Sequence, residues 1–534
     1  MKPLTADARS AAARLMWIVL DGPQIDEEAR SLLEAGAGGV VLFSRNITGA
    51  EQLARLTADL GRRARGSLRI AIDHEGGHVA RIGAPLTRFP SAMAIAATGD
   101  EEVARAVARA AGEELAGLGI DVNLAPVLDV ALDPRNASVG VRSFGSARDD
   151  VARFGAATIR GYHDAGIRAT AKHFPGHGRT PVDSHLALPL VAGGLGALRR
   201  HDLPPFRAAI DAGVDLVMAS HVAYDGLTDG LPSTLSAPIM RNLLREELGF
   251  EGLVVTDAMV MRALVDRHPI PEACVQSIAA GADVVMPLDR QPEVLAAIAD
   301  AILSGALPEE RIADALDRID ALDARVRAAG RLSPRALPDA GHDELARTVA
   351  RRSLTLLAGA DLLPIDEATS VAIIEFASRR PSPVEEGSVG TATLGTALGR
   401  HLRRVHEVVV DGAADMDAGE RAALDAAATA EFVILATRDA YLWPEERALV
   451  ERLARAGRPT MLVALRNPYD LVALAPTDAA VAAYADVPPT LDALADALTG
   501  RAGWPGILPM ELEPDLAADE WPPAPAVSAK AVAS

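Results

Sequence analysis

With 534 residues, 49% of them apolar and 24% charged, the chain exceeds one ordinary core and has a folded protein's composition, which excludes disorder over most of its length. A formal net charge of -20 sets its surface against nucleic acid and anionic membranes as partners. The single cysteine, Cys274, excludes an intramolecular disulfide and a cysteine metal cluster and reads as buried packing.

The first apolar run, Met16 to Leu20, is too short to span a bilayer and follows no basic leader, so a cytosolic (cytoplasmic) protein is expected. On that expectation the glycosylation pattern Asn136-Ala-Ser138 is a chance match. Up to about Leu307, short runs rich in Val, Ile and Leu alternate with longer stretches of helical periodicity, as in a parallel sheet covered by helices. The runs are Trp17 to Leu20, Gly39 to Phe43, Leu68 to Asp73, Val122 to Val130, Ile167 to Phe174, Leu216 to Ser220, Leu253 to Asp257 and Val284 to Pro287. Eight strand-then-helix units point to an α/β fold of the TIM-like (β/α)8 barrel type over 1–331, including a C-terminal helix from Glu309 to Ala329.

A proline-containing linker is expected over 332–342. Further apolar runs at Val371 to Phe376, Val408 to Val410, Phe432 to Ala436, Thr460 to Leu465 and Ala480 to Tyr484 predict a smaller α/β sandwich over 343–516. The Pro- and Ala-rich tail, 517–534, predicts disorder.

Most barrel runs end in groups able to do chemistry: Asp21, Asp73, Asp129, Lys172 with His173, His221 and Asp257. In a barrel these ends share the rim where active sites lie, although an Asp after a strand also serves as a helix cap. The richest stretch runs from Ala171 to His185, AKHFPGHGRTPVDSH, a strand end followed by a loop fit to act as a lid. Within it, Asp183 and His185 are spaced for the carboxylate to hold one imidazole nitrogen and tune the ring as acid and base. Lys172 is the only lysine between Lys2 and Lys530 in a chain that otherwise uses Arg, which marks a site needing a compact ammonium. Zinc on His173, His177, His185 and Asp183 is the rival reading, but the spacing matches no metal pattern and a flexible loop is a poor frame for it. No metal and no cofactor are therefore expected.

In Ile72-Asp-His-Glu-Gly-Gly-His-Val-Ala-Arg81, Asp73 and Arg81 are placed to hold sugar hydroxyls, and Glu75 is expected to satisfy loop amides. Asp257, closing Leu253-Val-Val-Thr-Asp257, is placed to attack an anomeric carbon if a proton donor sits across the bond, and His185 is that donor.

These segments, IDHEGG, NLAPVLDV, VRSFG, KHFPGHG followed by DSH, MASHV, RNLLREELGF and TDAM, occur in an order that resembles glycoside hydrolase family 3, most closely its β-N-acetylhexosaminidase branch. The resemblance runs from about Trp17 to Pro287. It implies Asp257 as nucleophile, His185 as general acid and base with Asp183 as its dyad partner, and Asp73, Arg81, Arg142, Lys172 and His173 as sugar-binding groups. It also implies retention of configuration and a terminal β-linked N-acetylglucosamine, including that of cell-wall muropeptides, so the expected partner is a small carbohydrate. Many members carry Arg where this chain has His78, which is expected to alter contacts beyond the terminal sugar. Short single-domain members lack the second domain, which is therefore not expected to be needed for the chemistry; its stretch Ala464 to Pro476 is expected only to pack on the barrel.

Two alternatives to hydrolysis stay open. A neutral histidine, unlike an ionised carboxylate, admits phosphate as acceptor, so a β-N-acetylglucosaminide phosphorylase remains. An inactive carbohydrate-binding barrel is the other. Oligomeric state is not set by the sequence.

Overall fold

A computed structural model describes residues 7–180, 182–330, 337–379, 382, 392–412 and 414–511. The expected tail, 517–534, lies outside them. Eight short runs of branched apolar residues form parallel strands: β1 (Trp17–Ile18), β2 (Gly39–Leu42), β3 (Arg69–Ile72), β4 (Val122–Asn123), β5 (Arg168–Phe174), β6 (Leu216–Ala219), β7 (Leu253–Ala258) and β8 (Val284–Met286). They pair in sequence order. Nearly every side chain in them is buried on both faces, which accounts for continuous apolar runs where an exposed sheet would alternate.

The sheet curls into a nearly closed barrel. Closure rests on a parallel bridge between Met16 and Val285 and on Val285 N–H donating to Leu15 O at 2.9 Å. Gln291, just past β8, adds a reciprocal pair: its Oε1 accepts from Val19 N–H at 2.8 Å and its Nε2 donates to Val19 O at 3.3 Å. Gly39 is needed where β2 crosses Trp17, since a Cβ there would fall 2.6 Å from the indole ring.

The linker expected over 332–342 is described only from Leu337 onward. Of its described part, Ala340 onward is already helix (Ala340–Ser353), started by Asp339, whose side chain accepts from Gly341 and His342 N–H. That helix joins the two cores, with Ala346 and Val349 in the barrel core and Ala350 in that of the next domain.

The second domain is a six-stranded sheet of β9 (Thr355–Ala358), β10 (Ser370–Phe376), β11 (Arg404–Val410), β12 (Phe432–Thr437), β13 (Thr460–Ala464) and β14 (Ala479–Ala482). The order is β9-β14-β13-β12-β10-β11, all parallel except β9. Separate apolar cores cover its two faces, giving the expected three layers.

Segments following β12, β13 and β14 abut the barrel. Tyr441 and Tyr469 donate their hydroxyls to Pro134 O and Ala131 O at 2.7 and 3.1 Å, and Ser91 Oγ donates to Tyr484 O at 2.7 Å. The loop carrying Ser138 and Arg142 is thereby packed between the two domains, with Val139 and Val141 against Tyr469 and Tyr484 in one apolar cluster. Among the described residues, no helix is long and apolar enough to cross a membrane.

Candidate active site

A cavity of about 360 Å³ opens at the C-terminal ends of the barrel strands. Asp73, Arg81, Arg142, Lys172, His173, His185 and Asp257 line it, so seven of the eight residues to which the resemblance gave a catalytic or sugar-binding role converge; the eighth, Asp183, stands behind His185.

Its polar floor is a chain of alternating charges. Lys172, buried at the end of β5, places Nζ 2.6 Å from Asp73 Oδ1 and 2.7 Å from Glu75 Oε1. Burial opposes the ammonium, but the two carboxylates outweigh it and raise the lysine pKa. Glu75 also takes both arms of Arg142, Nε to Oε2 and Nη2 to Oε1, each at 2.8 Å. Against the cost of burial, Arg142 and Lys172 hold the Glu75 carboxyl well below the usual carboxylate range. The expectation that Glu75 satisfies loop amides is corrected here: it braces two cations that line the cavity.

His173 and His177 are set by Asp129, which follows β4. His173 Nδ1–H donates to Asp129 Oδ2 at 2.7 Å and His177 N–H donates to Asp129 Oδ1 at 2.6 Å. Two histidines of the proposed metal quartet thus face one structural carboxylate, and among the described residues no three His, Cys, Asp or Glu side chains converge as metal ligands would. Gly178 lets the loop pass the strand end, since a Cβ there would overlap Val130 O.

Asp183 and His185 meet as their spacing suggested. Asp183 Oδ1 accepts from His185 Nδ1–H at 2.8 Å and from His185 N–H at 2.9 Å, which leaves Nε2 as the ring nitrogen not engaged by Asp183. Burial works against the imidazolium, but the hydrogen bond and charge of Asp183, helped by Asp257, outweigh it and raise the His185 pKa above 6.5. Asp183 itself is lowered to about 2, burial being overcome chiefly by its bond to His185.

Asp257, on β7, accepts from Ala258 N–H at 2.7 Å. Burial would neutralise it, yet attraction to His173, His221 and His185 brings its pKa down to about 2. It is an ionised carboxylate at neutral pH. His221 is fully buried below it and donates Nε2–H to Ala258 O at 3.0 Å, fixing the turn that aims Asp257.

Several wall residues were not singled out in the sequence. Phe43 and Arg45 form one side, the guanidinium lying 4.9 Å from the ring centroid, and Ser138 and Ser184 add polar edges beside His177, which the sequence had offered only as a metal ligand. Met218, Met261, Met286 and Leu288 supply the apolar face. Asp21, though at a strand end, is exposed and does not line the cavity. His78 is not among the lining residues either: it is half-buried near Arg466 and Asp486 of the second domain as well as Arg142 and Glu75, and desolvation with the nearby Arg466 lowers its pKa to about 3.

The sequence model for the glycosyl hydrolase family 3 N-terminal domain matches residues 12–322, more than half the chain. The chain belongs to glycosyl hydrolase family 3. As a glycoside hydrolase of that family it is 34% identical over 367 residues to β-hexosaminidase A of Pseudoalteromonas piscicida, covering 62% of this chain and 61% of that one, so the match spans about three fifths of that relative. To the β-hexosaminidase of Alkalilimnicola ehrlichii the family 3 enzyme is 37% identical over 286 residues, 52% of this chain and 81% of the other. A solved family 3 β-N-acetylglucosaminidase from Paenibacillus sp. str. FPU-7 superposes with a TM-score of 0.90 at 35% identity, covering 94% of this chain and 98% of that one. The likeness over both domains bears out the two-domain fold expected from the sequence.

Proposed function

We propose that this family 3 enzyme is a retaining, exo-acting glycosidase that removes terminal β-linked N-acetylglucosamine, with Asp257 as nucleophile and the His185–Asp183 dyad as acid and base. The observation that carries the proposal is a pair of groups on one cavity whose environments drive their pKa values apart: Asp257 is held ionised, while His185 is held protonated to higher pH than a free imidazole. His185 Nε2–H gives its proton to the glycosidic oxygen as Asp257 attacks the anomeric carbon and the aglycone leaves. The neutral ring then takes a proton from water, which attacks the glycosyl ester and returns Asp257 with the original configuration. Asp73, Arg81, Arg142, Lys172 and His173 hold the sugar hydroxyls. A cavity at the small end of the roughly 300–1,000 Å³ range of ligand pockets suits one terminal sugar better than a chain interior.

The names of the β-hexosaminidase relatives support N-acetylglucosamine as the sugar. Muropeptide disaccharides are the proposed physiological substrate, met in the cytosol, where an anionic chain with one buried thiol is at home. The test is product analysis on chitobiose and a muropeptide disaccharide, each with and without phosphate. Free N-acetylglucosamine at equal rates is expected in both. N-acetylglucosamine 1-phosphate formed only with phosphate would make it a phosphorylase instead, and no turnover even of an aryl β-N-acetylglucosaminide would leave a binding barrel.

The pH dependence follows from the same pair. Because the His185 pKa is raised, the acid form persists above pH 6.5, and the alkaline limb of kcat/KM is expected above that value. Asp183→Asn removes the main source of the rise, so the limb should move to lower pH; a limb unmoved by it would remove Asp183 from the dyad.

A further inference from the structure

We infer that Ser382, contributed by the second domain, is a positioning residue of the acid/base dyad, its hydroxyl holding Asp183 in the orientation that aims His185 at the glycosidic oxygen. The inference rests on the proposed role of His185. Ser382 Oγ–H donates to Asp183 Oδ2 at 2.7 Å, and the serine is 1% exposed, so the bond is shielded from water.

The geometry around Asp183 gives that bond its weight. Oδ1 is taken twice by His185, through N–H and Nδ1–H. Both of those bonds lie within one short turn and move with it. The links from this turn to the barrel pass through the next residue: Ser184 O accepts from Ala263 N–H at 3.1 Å, and Ser184 Oγ meets His177 Nε2 at 3.0 Å. Asp183 faces the other way, where Ser382 fixes its outer oxygen from a position 199 residues further along the chain. Rotation of the carboxylate about Cβ–Cγ would break both the Ser382 bond and the His185 Nδ1 bond, so holding one oxygen holds the ring. The Ser382 donor also favours the carboxylate form of Asp183, the form that can accept from His185. The second domain thereby enters the chemistry without touching the sugar.

The test compares two substrates on the full-length enzyme. Chitobiose expels a sugar hydroxyl that must be protonated; the 2,4-dinitrophenyl β-N-acetylglucosaminide expels a phenolate that needs no proton. Ser382→Ala should lower kcat/KM about tenfold on chitobiose and less than about twofold on the dinitrophenyl glycoside, as loss of one hydrogen bond to a charged group acting only through the acid would. Ser382→Thr, which keeps the hydroxyl, should restore most of the chitobiose rate. Equal losses on both substrates, no loss on either, or a Thr variant as impaired as the Ala variant would overturn the inference. His185→Ala is run alongside. If it separates the two substrates while Ser382→Ala does not, the inference alone fails; if His185→Ala affects both alike, the acid/base reading fails and takes the inference with it.

Discussion

Replacing Asp257 with alanine is expected to lower kcat/KM on chitobiose by at least about 10³-fold, equivalent to roughly 4 kcal/mol of lost transition-state stabilisation. The size follows from the role: without the carboxylate no covalent intermediate forms, and no neighbouring acid lining the cavity is free to replace it, since Asp73 is paired with Lys172 and Arg81. Asp257→Asn, which keeps the shape and the Ala258 N–H bond, should be nearly as inactive, separating lost chemistry from lost packing. Residual activity within about tenfold of the parent in both variants would remove Asp257 as nucleophile.

Glu75→Ala is expected to be strongly destabilising, costing about 3–5 kcal/mol, because it leaves the buried Arg142 without its paired carboxylate and the buried Lys172 with Asp73 alone. The Arg142 and Lys172 side chains are only 7% and 2% exposed, and each loses a carboxylate within 2.8 Å. Denaturant unfolding of the barrel near neutral pH measures it, and a cost below about 1 kcal/mol would mean that the pairings act as a surface salt bridge does. The pH dependence has a definite sign. The folded pKa of Glu75 is depressed below the unfolded value of 4.5, so its stabilisation is fully present above pH 4.5 and lost as pH falls towards the folded value. The gap between parent and variant should therefore narrow only below pH 4.5.

How much of this was legible in the sequence differs from feature to feature. The eight barrel strands were visible because burial on both faces leaves a run of Val, Ile and Leu that no surface element shows. Within the run from Val122 to Val130 the continuous strand is only Val122–Asn123, because Pro126 has no N–H to donate, but pairing with β5 resumes at a bridge between Val127 and Lys172. β9 was missed because Thr355–Ala358 is four residues long, lies at an edge and follows directly on a helix, so neither length nor alternation marks it. Lys172 was found through an oddity of composition, Asp257 through its place at a strand end, and the Asp183–His185 pair through spacing. Arg142 came only from resemblance, since nothing local distinguishes it from the chain's other arginines. Glu75 was misjudged for a related reason: its partners lie 67 and 97 positions away, and only the closed barrel brings them together. Ser382 had no signal at all, being one serine of a second domain whose approach to the rim depends on how two folds dock.

The seam that closes the barrel has a consequence for synthesis. β1 emerges first and waits for β8 and Gln291, the amide partner of Val19 272 positions later, before its free edge is covered. Every group assigned to the sugar site or the chemistry, apart from Ser382, precedes that moment. A nascent chain stopped short of Gln291 therefore carries its full complement of reactive groups on an unclosed parallel sheet with two bare edges, the form most open to pairing with a neighbouring chain. Native assembly of this domain is thus a late, long-range event, and the interval before it is where a chaperone would have most to protect.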